Sequence, residues 1–219
     1  MKKIVEEYEK RNDKNQGGIY EAERGMLIKN TIGGGKEVLD LGARHGSLTK
    51  YYIEGNEVTG VDFDEKNLQV LKEKFGCRTI LHDLNEDLDS LGLGKWDAVV
   101  MSEVLEHLYY PEKKVEQISR LIKPDGVFVG TVPNIFSLKN RIRLFFGRPE
   151  LTAMVEPTHL NHFSARLLEK MLKKYFTEVA IVPIQQKKYM PLAALSPSLF
   201  AFMLGFVCRK PVKQETNEQ

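Results

Sequence analysis

The 219-residue chain is 42% hydrophobic and 28% charged, and its 32 Lys and Arg against 30 Asp and Glu give a net charge of +2. That balance excludes wholesale disorder, collagen, a disulfide-dense secreted module and a protein that binds polyanions over its whole surface, though it permits a local basic patch. The length fits one domain with an insertion, and a chain of this size buries about 70% of its unfolded surface, so its core needs neither disulfide nor metal.

The N-terminal run MKKIVEEYEKRNDKNQ lacks the apolar core of a signal peptide, and residues 1–35 are expected to form a helical cap. Five short apolar runs follow, each ending in Gly, Asp, Ser or Pro: Glu37 to Gly42, Glu57 to Asp62, Arg78 to Asp83, Trp96 to Ser102 and Gly126 to Pro133. They read as strands. Between them lie segments of helical period: Leu68, Leu71 and Phe75, then Val115, Ile118 and Ile122 in a helix that starts at Pro111 and closes before Lys123-Pro124-Asp125-Gly126. Strands alternating with helices predict a mostly parallel sheet with helices on both faces. The alternation lapses over residues 134–163, an insertion rich in Phe, Arg, Pro and Asn. A helix resumes behind Ser164 as N-cap. Glu178 to Gln185 and Leu199 to Arg209 read as two further strands, so the main domain is expected over 36–209 and a solvated tail over 210–219. Leu192 to Cys208 is apolar but interrupted by Ser196-Pro197-Ser198, and it is shorter than the ~20 residues of a spanning helix. It is expected to be buried. The two cysteines, Cys77 and Cys208, are far apart and form no metal or disulfide pattern, which points to a reducing cytosol and a cytoplasmic protein.

The chemistry begins at Val38 to Leu48, VLDLGARHGSL, where a strand ends in Asp40-Leu41-Gly42 and Gly46 follows before an expected helix. Glycines at such a turn let the backbone approach a ligand, and a helix start offers N–H groups to a negative end. Asp62 ends the next strand, twenty-two residues after Asp40, where a carboxylate can accept both hydroxyls of a ribose. Asp83 ends the third strand, where it can accept from an adenine amino group. Each aspartate alone is more often a cap or a loop residue. Three at consecutive strand ends mark the edge where open α/β sheets hold ligands.

From Glu37 to Phe176 this pattern resembles the class I S-adenosylmethionine-dependent methyltransferases. Asp40 to Gly46 resembles their first motif, an acid followed by G-x-G-x-G; Asp62 with Phe63 resembles the ribose-binding acid and its neighbour, Asp83-Leu84 the adenine contact, Trp96 to Val100 the fourth strand, and Leu121 to Gly126 the turn into the fifth. A nicotinamide fingerprint, G-x-G-x-x-G, is not met by Gly42-x-x-x-Gly46. The resemblance implies a seven-stranded Rossmann-like sheet with its last strand antiparallel. It also implies S-adenosyl-L-methionine as cofactor, held by Asp40, Gly42, Gly46, Asp62, Phe63, Asp83, Leu84 and Ser102, and methyl transfer to an oxygen or nitrogen of a small-molecule acceptor. The middle glycine of the motif is Arg44, whose side chain either crowds the methionine end of the cofactor or points outward. If it crowds, a non-catalytic binding protein with this fold is one alternative; a metal-dependent RNA 2′-O-methyltransferase is the other.

Ser102 to Leu108, SEVLEHL, resembles the E-x-x-E-H segment of ubiquinone-type O-methyltransferases and small-RNA 2′-O-methyltransferases. There two glutamates and a histidine hold a divalent metal with a downstream histidine. The resemblance thus implies Glu103, Glu106, His107 and His159 as metal ligands, His159 fitting better than His162, on residues that share a helix face. Without a metal, His107 with Glu106 becomes the catalytic base. Ile135 to Arg148 mixes large apolar residues with Lys139, Arg141, Arg143 and Arg148, and reads as a substrate lid that touches either a membrane surface or RNA, or packs with its charges in water.

Overall fold

A computed structural model describes residues 18–212. The parts of the expected N-terminal cap and C-terminal tail at 1–17 and 213–219 lie outside the described residues. One helix precedes the sheet, α1 (Glu21–Ile32), and the strands follow as β1 (Glu37–Leu41), β2 (Glu57–Asp62), β3 (Arg78–Leu81), β4 (Trp96–Ser102), β5 (Ile122–Pro133), β6 (Phe176–Ile184) and β7 (Met203–Pro211). Their order across the sheet is β3-β2-β1-β4-β5-β7-β6, and β7 alone runs antiparallel, paired with β5 and β6. The sheet is therefore mixed, as the expected last strand requires. The strand order reverses between β1 and β4, and in open α/β sheets this is where ligands sit, beyond the carboxyl ends of the strands.

The central strands are buried on both faces, which is why they read as continuous apolar runs: β1 and β2 are buried at every position after the first. One face is covered by Ile28, Ile32, Leu68 and Leu71 from α1 and α2 (Glu65–Phe75). The other is covered by Val115, Ile118, Leu168 and Leu172 from α3 (Pro111–Leu121) and α5 (Ala165–Leu172). Local chemistry sets the boundaries. Asp64 Oδ1 accepts from the N–H groups of Lys66 and Asn67 to start α2, which ends at Gly76 in the left-handed region (φ +65°). Ser164 accepts from Leu167 N–H to start α5, as its sequence suggests.

Three expectations are corrected. No α-helix follows Gly46; a single 3₁₀ turn, Thr49–Tyr51, fills the connection. Gly55 and Asn56 turn the chain so soon after it that no longer helix fits before β2. The start of the expected strand at Leu199 is instead a short helix, α7 (Pro197–Phe200), preceded by α6 (Met190–Leu195); Pro197 occupies a first-turn position where its missing N–H costs nothing. β5 begins at Ile122 rather than Gly126, because α3 passes directly into it. The 134–163 insertion contains α4 (Leu138–Phe145) and two 3₁₀ turns, Pro149–Leu151 and Ala153–Val155. Among the described residues no helix is long and apolar enough to cross a membrane.

Candidate active site

Four strand ends converge at the reversal point. β1 delivers Asp40 and Gly42. Gly42 lies at φ +80°, and a Cβ there would meet Val104 Cγ2 at 2.5 Å, so the turn is packed as well as left-handed. Gly46 is also left-handed (φ +83°). So is Arg44 (φ +49°), a conformation that disfavours side chains other than glycine's. Its side chain is exposed, and its backbone N–H donates to Asp62 Oδ2 at 2.9 Å. The substituted glycine has thus kept the backbone of the motif and sent its side chain outward, the second of the two readings above.

Asp62 is 4% exposed. One oxygen accepts from Arg44 N–H and the other from Asp64 N–H at 3.0 Å, and a carboxylate has capacity for about two acceptor bonds more. Burial raises its pKa while those two N–H bonds oppose the rise. Phe63 follows it, partly exposed at the rim. Asp83 lies just past β3, its Oδ1 accepting from Asn85 N–H and Nδ2 in a tight turn, and Leu84 is buried beside it. These residues line the carboxyl edge of β2 and β3.

Asp40 faces inward. Its Oδ2 accepts from Thr49 Oγ1 at 2.8 Å and from the Tyr52 hydroxyl at 2.5 Å, and burial pushes its pKa up to about 6. Two hydroxyl donors on one buried oxygen tie the glycine turn to the segment behind it, which makes Asp40 a positioning residue. The turn's own N–H groups are also committed: Gly42 and Ala43 donate to Val61 O and Gly46 to Ala43 O. Among the described residues no helix start, with its aligned N–H groups and positive dipole end, follows the turn.

A positive group that the motif search overlooked stands nearby. Arg24 of α1 is 7% exposed, and its Nε and Nη2 donate to Ser102 Oγ at 3.2 and 2.9 Å. Ser102 Oγ lies 2.6 Å from Thr131 Oγ1, and Thr131 donates to Glu103 Oε1 at 2.9 Å. Since Thr131 gives its proton to Glu103, Ser102 must give its own to Thr131. The protons therefore run one way, from guanidinium through two hydroxyls to carboxylate, at the tips of β4 and β5. The sequence did carry a signal: Arg24, Ile28 and Ile32 share one face of α1, and all three are buried. A charged residue in an apolar register is a site candidate.

The E-x-x-E-H segment is not on one helix face. Glu103 is itself left-handed (φ +59°), and only Leu105–His107 makes a 3₁₀ turn. The break separates Glu103 from its expected companions. Glu106, His107 and His159 do come together, with one ligand atom of each within 4.8 Å of the others, whereas Glu103 lies outside that group. His107 Nδ1 donates to Thr158 O at 2.8 Å and His159 Nδ1 to Ala153 O at 3.2 Å. A carbonyl only accepts, so both rings carry the Nδ1 proton when neutral, and Nε2 is the basic atom. His107 Nε2 lies 3.8 Å from Glu106 Oε1, and the two rings meet edge to face. Glu106 is 1% exposed, and neither carboxylate oxygen has a hydrogen-bond partner among the described residues. Burial first, and then the charge of Glu103, hold its pKa well above the usual carboxylate range. Glu103 is raised too, by burial, with Arg24 opposing. His162 stands apart, its Nδ1 buried without a partner among the described residues. The strap Thr158 to Asn161 is pinned to the 3₁₀ turn, because Leu160 and Asn161 N–H donate to Glu106 O and Asn161 Nδ2 to Leu108 O. This is how a histidine fifty residues away reaches the site.

Comparison with known proteins agrees with this geometry. The model of the methyltransferase-domain family matches residues 13–176. A ubiquinone biosynthesis O-methyltransferase of Dechloromonas aromatica (strain RCB) is 37% identical over 108 residues, covering 45% of each chain. One from Vibrio campbellii is 30% identical over 165 residues, covering 72% of this chain and 69% of that one. The chain spans about half the length of the first of these curated relatives that it matches. Among solved structures, the Burkholderia thailandensis 1,6-didemethyltoxoflavin-N1-methyltransferase, with 1,6-didemethyltoxoflavin and S-adenosylhomocysteine bound, superposes with a TM-score of 0.68 at 22% identity, over 95% of this chain and 86% of that one. A SAM dependent methyltransferase from Archaeoglobus fulgidus gives 0.64 at 22% identity, over 88% and 95%. The chain belongs to the methyltransferase-domain family and has the fold of the class I S-adenosylmethionine-dependent methyltransferases.

Proposed function

We propose that the chain transfers the methyl group of S-adenosylmethionine to an oxygen of a small-molecule acceptor seated beside His107, with nitrogen acceptors as the less favoured case. The observation that carries this reading is the His107–Glu106 pair: a ring with its Nδ1 proton fixed on a carbonyl and its basic Nε2 beside a buried carboxylate. The O-methyltransferase relatives support oxygen over nitrogen.

The residues present fit the cofactor. Asp62 retains acceptor capacity for ribose hydroxyls, Phe63 offers a ring at the rim, Asp83 and Leu84 flank the base, and Arg24 with Ser102 faces the amino-acid end, where its charge complements a carboxylate. When bound, S-adenosylmethionine supplies an electrophilic methyl group on sulfonium sulfur. The protein's task is to orient the acceptor in line, keep water out and accept a proton. With the methyl passing from the sulfonium sulfur, which would leave as a thioether, His107 Nε2 would take the proton of the acceptor hydroxyl and Thr158 O would stabilise the imidazolium through Nδ1–H.

A second reading has its own observation. Glu106, whose two buried oxygens have no partner among the described residues, next to two histidines oriented through their Nδ1 protons, also fits a divalent cation. Such an ion would act as a Lewis acid on the acceptor hydroxyl.

One experiment separates the readings. Methyl-labelled S-adenosylmethionine is supplied with a panel of small phenols and amines, before and after chelation. The first reading expects labelled phenol ethers, insensitivity to chelator, and a loss of about 10²–10⁴-fold in His107→Ala with S-adenosylhomocysteine affinity retained. Loss on chelation with return on adding Mg²⁺, Mn²⁺ or Zn²⁺ selects the second. Full turnover in His107→Ala without metal dependence overturns both.

A further inference from the structure

The loop that carries Asp83 and Leu84 rests on a polar stretch of an otherwise apolar helix face. On α3, Lys114, Gln117, Ile118 and Leu121 stand at i, i+3, i+4 and i+7, and all four are buried. The stripe is apolar at its far end and polar where it passes beneath residues 83–91. Lys114 is 4% exposed and Gln117 1%. An ammonium is among the costliest groups to bury, and it stays inside only where its hydrogen bonds are filled. Lys114 Nζ donates to Glu86 O at 2.6 Å and to Gln117 Oε1 at 2.8 Å, so its partners are a carbonyl and an amide, and among the described residues it makes no ion pair. Gln117 passes the link on: its Nε2 donates to Asp87 Oδ1 at 2.6 Å, and its Oε1 also accepts from Leu88 N–H at 3.4 Å.

Two kinds of bond shape this loop. Those within it set the form of the turn: Asp83 Oδ1 accepts from Asn85 N–H and Nδ2, and Glu86 N–H donates to Asp83 O at 2.9 Å. They would form wherever the turn stood. Those that leave the loop set its place, and the buried ones come from Lys114 and Gln117. Leu88 anchors the far end in the core. Beside the turn itself, however, a cleft of about 170 Å³ lies between loop and helix, bounded by Leu84, Leu108, Tyr110, Lys114 and Gln117. Side chains that line a void lose their contacts on that side, so packing leaves the turn free to shift there. Asp83 Oδ2 has no partner among the described residues and is the oxygen left for a ligand. Its place is referred to α3 through Glu86, one hydrogen-bonded turn away.

We propose that Lys114, together with Gln117, is a positioning residue that fixes the Asp83 carboxylate at the adenine amino group and so sets the site's preference for a 6-amino purine. The proposal rests on the reading of Asp83 as the adenine contact. Lys114 acts through Glu86 O, not by contact with the cofactor. Lys114→Met keeps the stem and the volume and removes the ammonium. Exchange of a buried ion for an apolar isostere often leaves stability intact, so this variant should fold while Glu86 O loses its donor and the turn its anchor.

The test is calorimetric titration with S-adenosylhomocysteine and with S-inosylhomocysteine, which carries a carbonyl in place of the 6-amino group. A hydrogen bond to a carboxylate is at stake, so the wild type should prefer the adenine ligand by at least about tenfold. Asp83→Ala should abolish that preference. Lys114→Met and Gln117→Leu should each cut it to about threefold or less, through weaker S-adenosylhomocysteine binding, with S-inosylhomocysteine binding little changed. Lys113→Gln, at an exposed cation 3.9 Å from Asp87, should leave it whole. A role confined to stability moves both dissociation constants together and not their ratio. Full preference in Lys114→Met therefore overturns the proposal, and so does equal weakening of the two ligands. Should that variant not fold, Gln117→Leu decides in its place, and failure of both to fold makes the pair purely structural and overturns the proposal too. No preference in the wild type, or its survival in Asp83→Ala, removes the adenine reading and the proposal with it. Loss in Asp83→Ala with retention in Lys114→Met fails the proposal alone.

Discussion

Replacing Arg24 by alanine should weaken S-adenosylhomocysteine binding by two orders of magnitude while sparing the same nucleoside without its amino acid. A guanidinium has five N–H donors. In Arg24, Nε and Nη2 spend two on Ser102 Oγ, and Nη1 makes a long contact of 3.5 Å with Ile19 O. About two N–H groups therefore remain for a carboxylate. Hydrogen bonds to charged groups contribute about 1.5–3 kcal/mol each. The low end is appropriate because Arg24 is already desolvated, so two bonds give about 3 kcal/mol, or roughly 150-fold in Kd. Arg24→Lys keeps the charge but not the fork, and should lose about tenfold. The assay is calorimetric titration of wild type and both variants with S-adenosylhomocysteine and with 5′-methylthioadenosine, which has the nucleoside and sulfur but no amino acid. Methylthioadenosine should change by less than about threefold, and it reports at the same time that the variant is folded. Equal losses for the two ligands would mean that Arg24 acts through the Ser102–Thr131–Glu103 chain rather than on the ligand. An unchanged S-adenosylhomocysteine Kd would refute the assignment outright.

Three further substitutions test the glycine turn and the ribose contact. Asp62→Ala should weaken both ligands alike, by at least about 1.5–3 kcal/mol, because the ribose loses its acceptor and the N–H groups of Arg44 and Asp64 lose theirs; equal affinity would show that the ribose is held elsewhere. Arg44→Gly should raise Tm by about 2 °C, since it removes a left-handed side-chain penalty of roughly 1–2 kcal/mol and adds back part of it as unfolded-chain freedom, and S-adenosylhomocysteine affinity should stay within about twofold; a tenfold loss would make Arg44 a ligand group. Asp40 has a folded pKa of about 6, above its unfolded value, so its contribution to stability is complete at acid pH and is lost as pH rises through about 6. Asp40→Asn keeps an oxygen for Thr49 and Tyr52 and escapes ionisation, so its Tm relative to wild type should climb between about pH 4 and 6.5 and level off above that, toward a gain of up to about 3 kcal/mol; a difference that does not vary with pH would show that Asp40 ionises without strain.

The sheet was legible because its evidence was redundant. β1, β2 and the middles of β4 and β5 are buried and read as apolar runs, the half-exposed edge strand β3 reads from Ile80 and Leu81, and the five runs end at Gly42, Asp62, Asp83, Ser102 and Pro133. Where the reading slipped, a local competitor had won over a pattern. The run from Leu199 is apolar enough for a strand, but Pro197 and the register of β7 against β5 delay pairing to Met203. The spacing of Glu103, Glu106 and His107 suits a helix face, but spacing alone cannot reveal a left-handed residue, and φ +59° at Glu103 turns its side chain toward Thr131 instead. Such conformations cost about 1–3 kcal/mol and persist where the surroundings enforce them. Here the enforcing bonds are Glu103 N–H to Thr131 O and Thr131 Oγ1 to Glu103 Oε1.

The two arginines show why the rest of the site was hidden. Arg44 stood out because it breaks a motif, yet in the structure its side chain is exposed, on a backbone that glycine would have adopted more easily. Arg24 broke no motif and drew no notice, yet it is the buried one. The difference follows from the shortened connection after Gly46. A helix there would have presented unpaired N–H groups and the positive end of its dipole to a carboxylate. The connection instead closes as one 3₁₀ turn, and Gly42, Ala43, Arg44 and Gly46 all spend their N–H groups within the fold. A cofactor carboxylate without a helix end beside it would need a cation, and among the described residues α1 brings one to the tip of β4, where Arg24 donates to Ser102. Its buried face carries Arg24 one turn before Ile28. If Arg24 meets the amino-acid end of the cofactor as proposed, glycine motif and N-terminal helix are coupled, and restoring a helix after Gly46 should shrink the loss caused by Arg24→Ala.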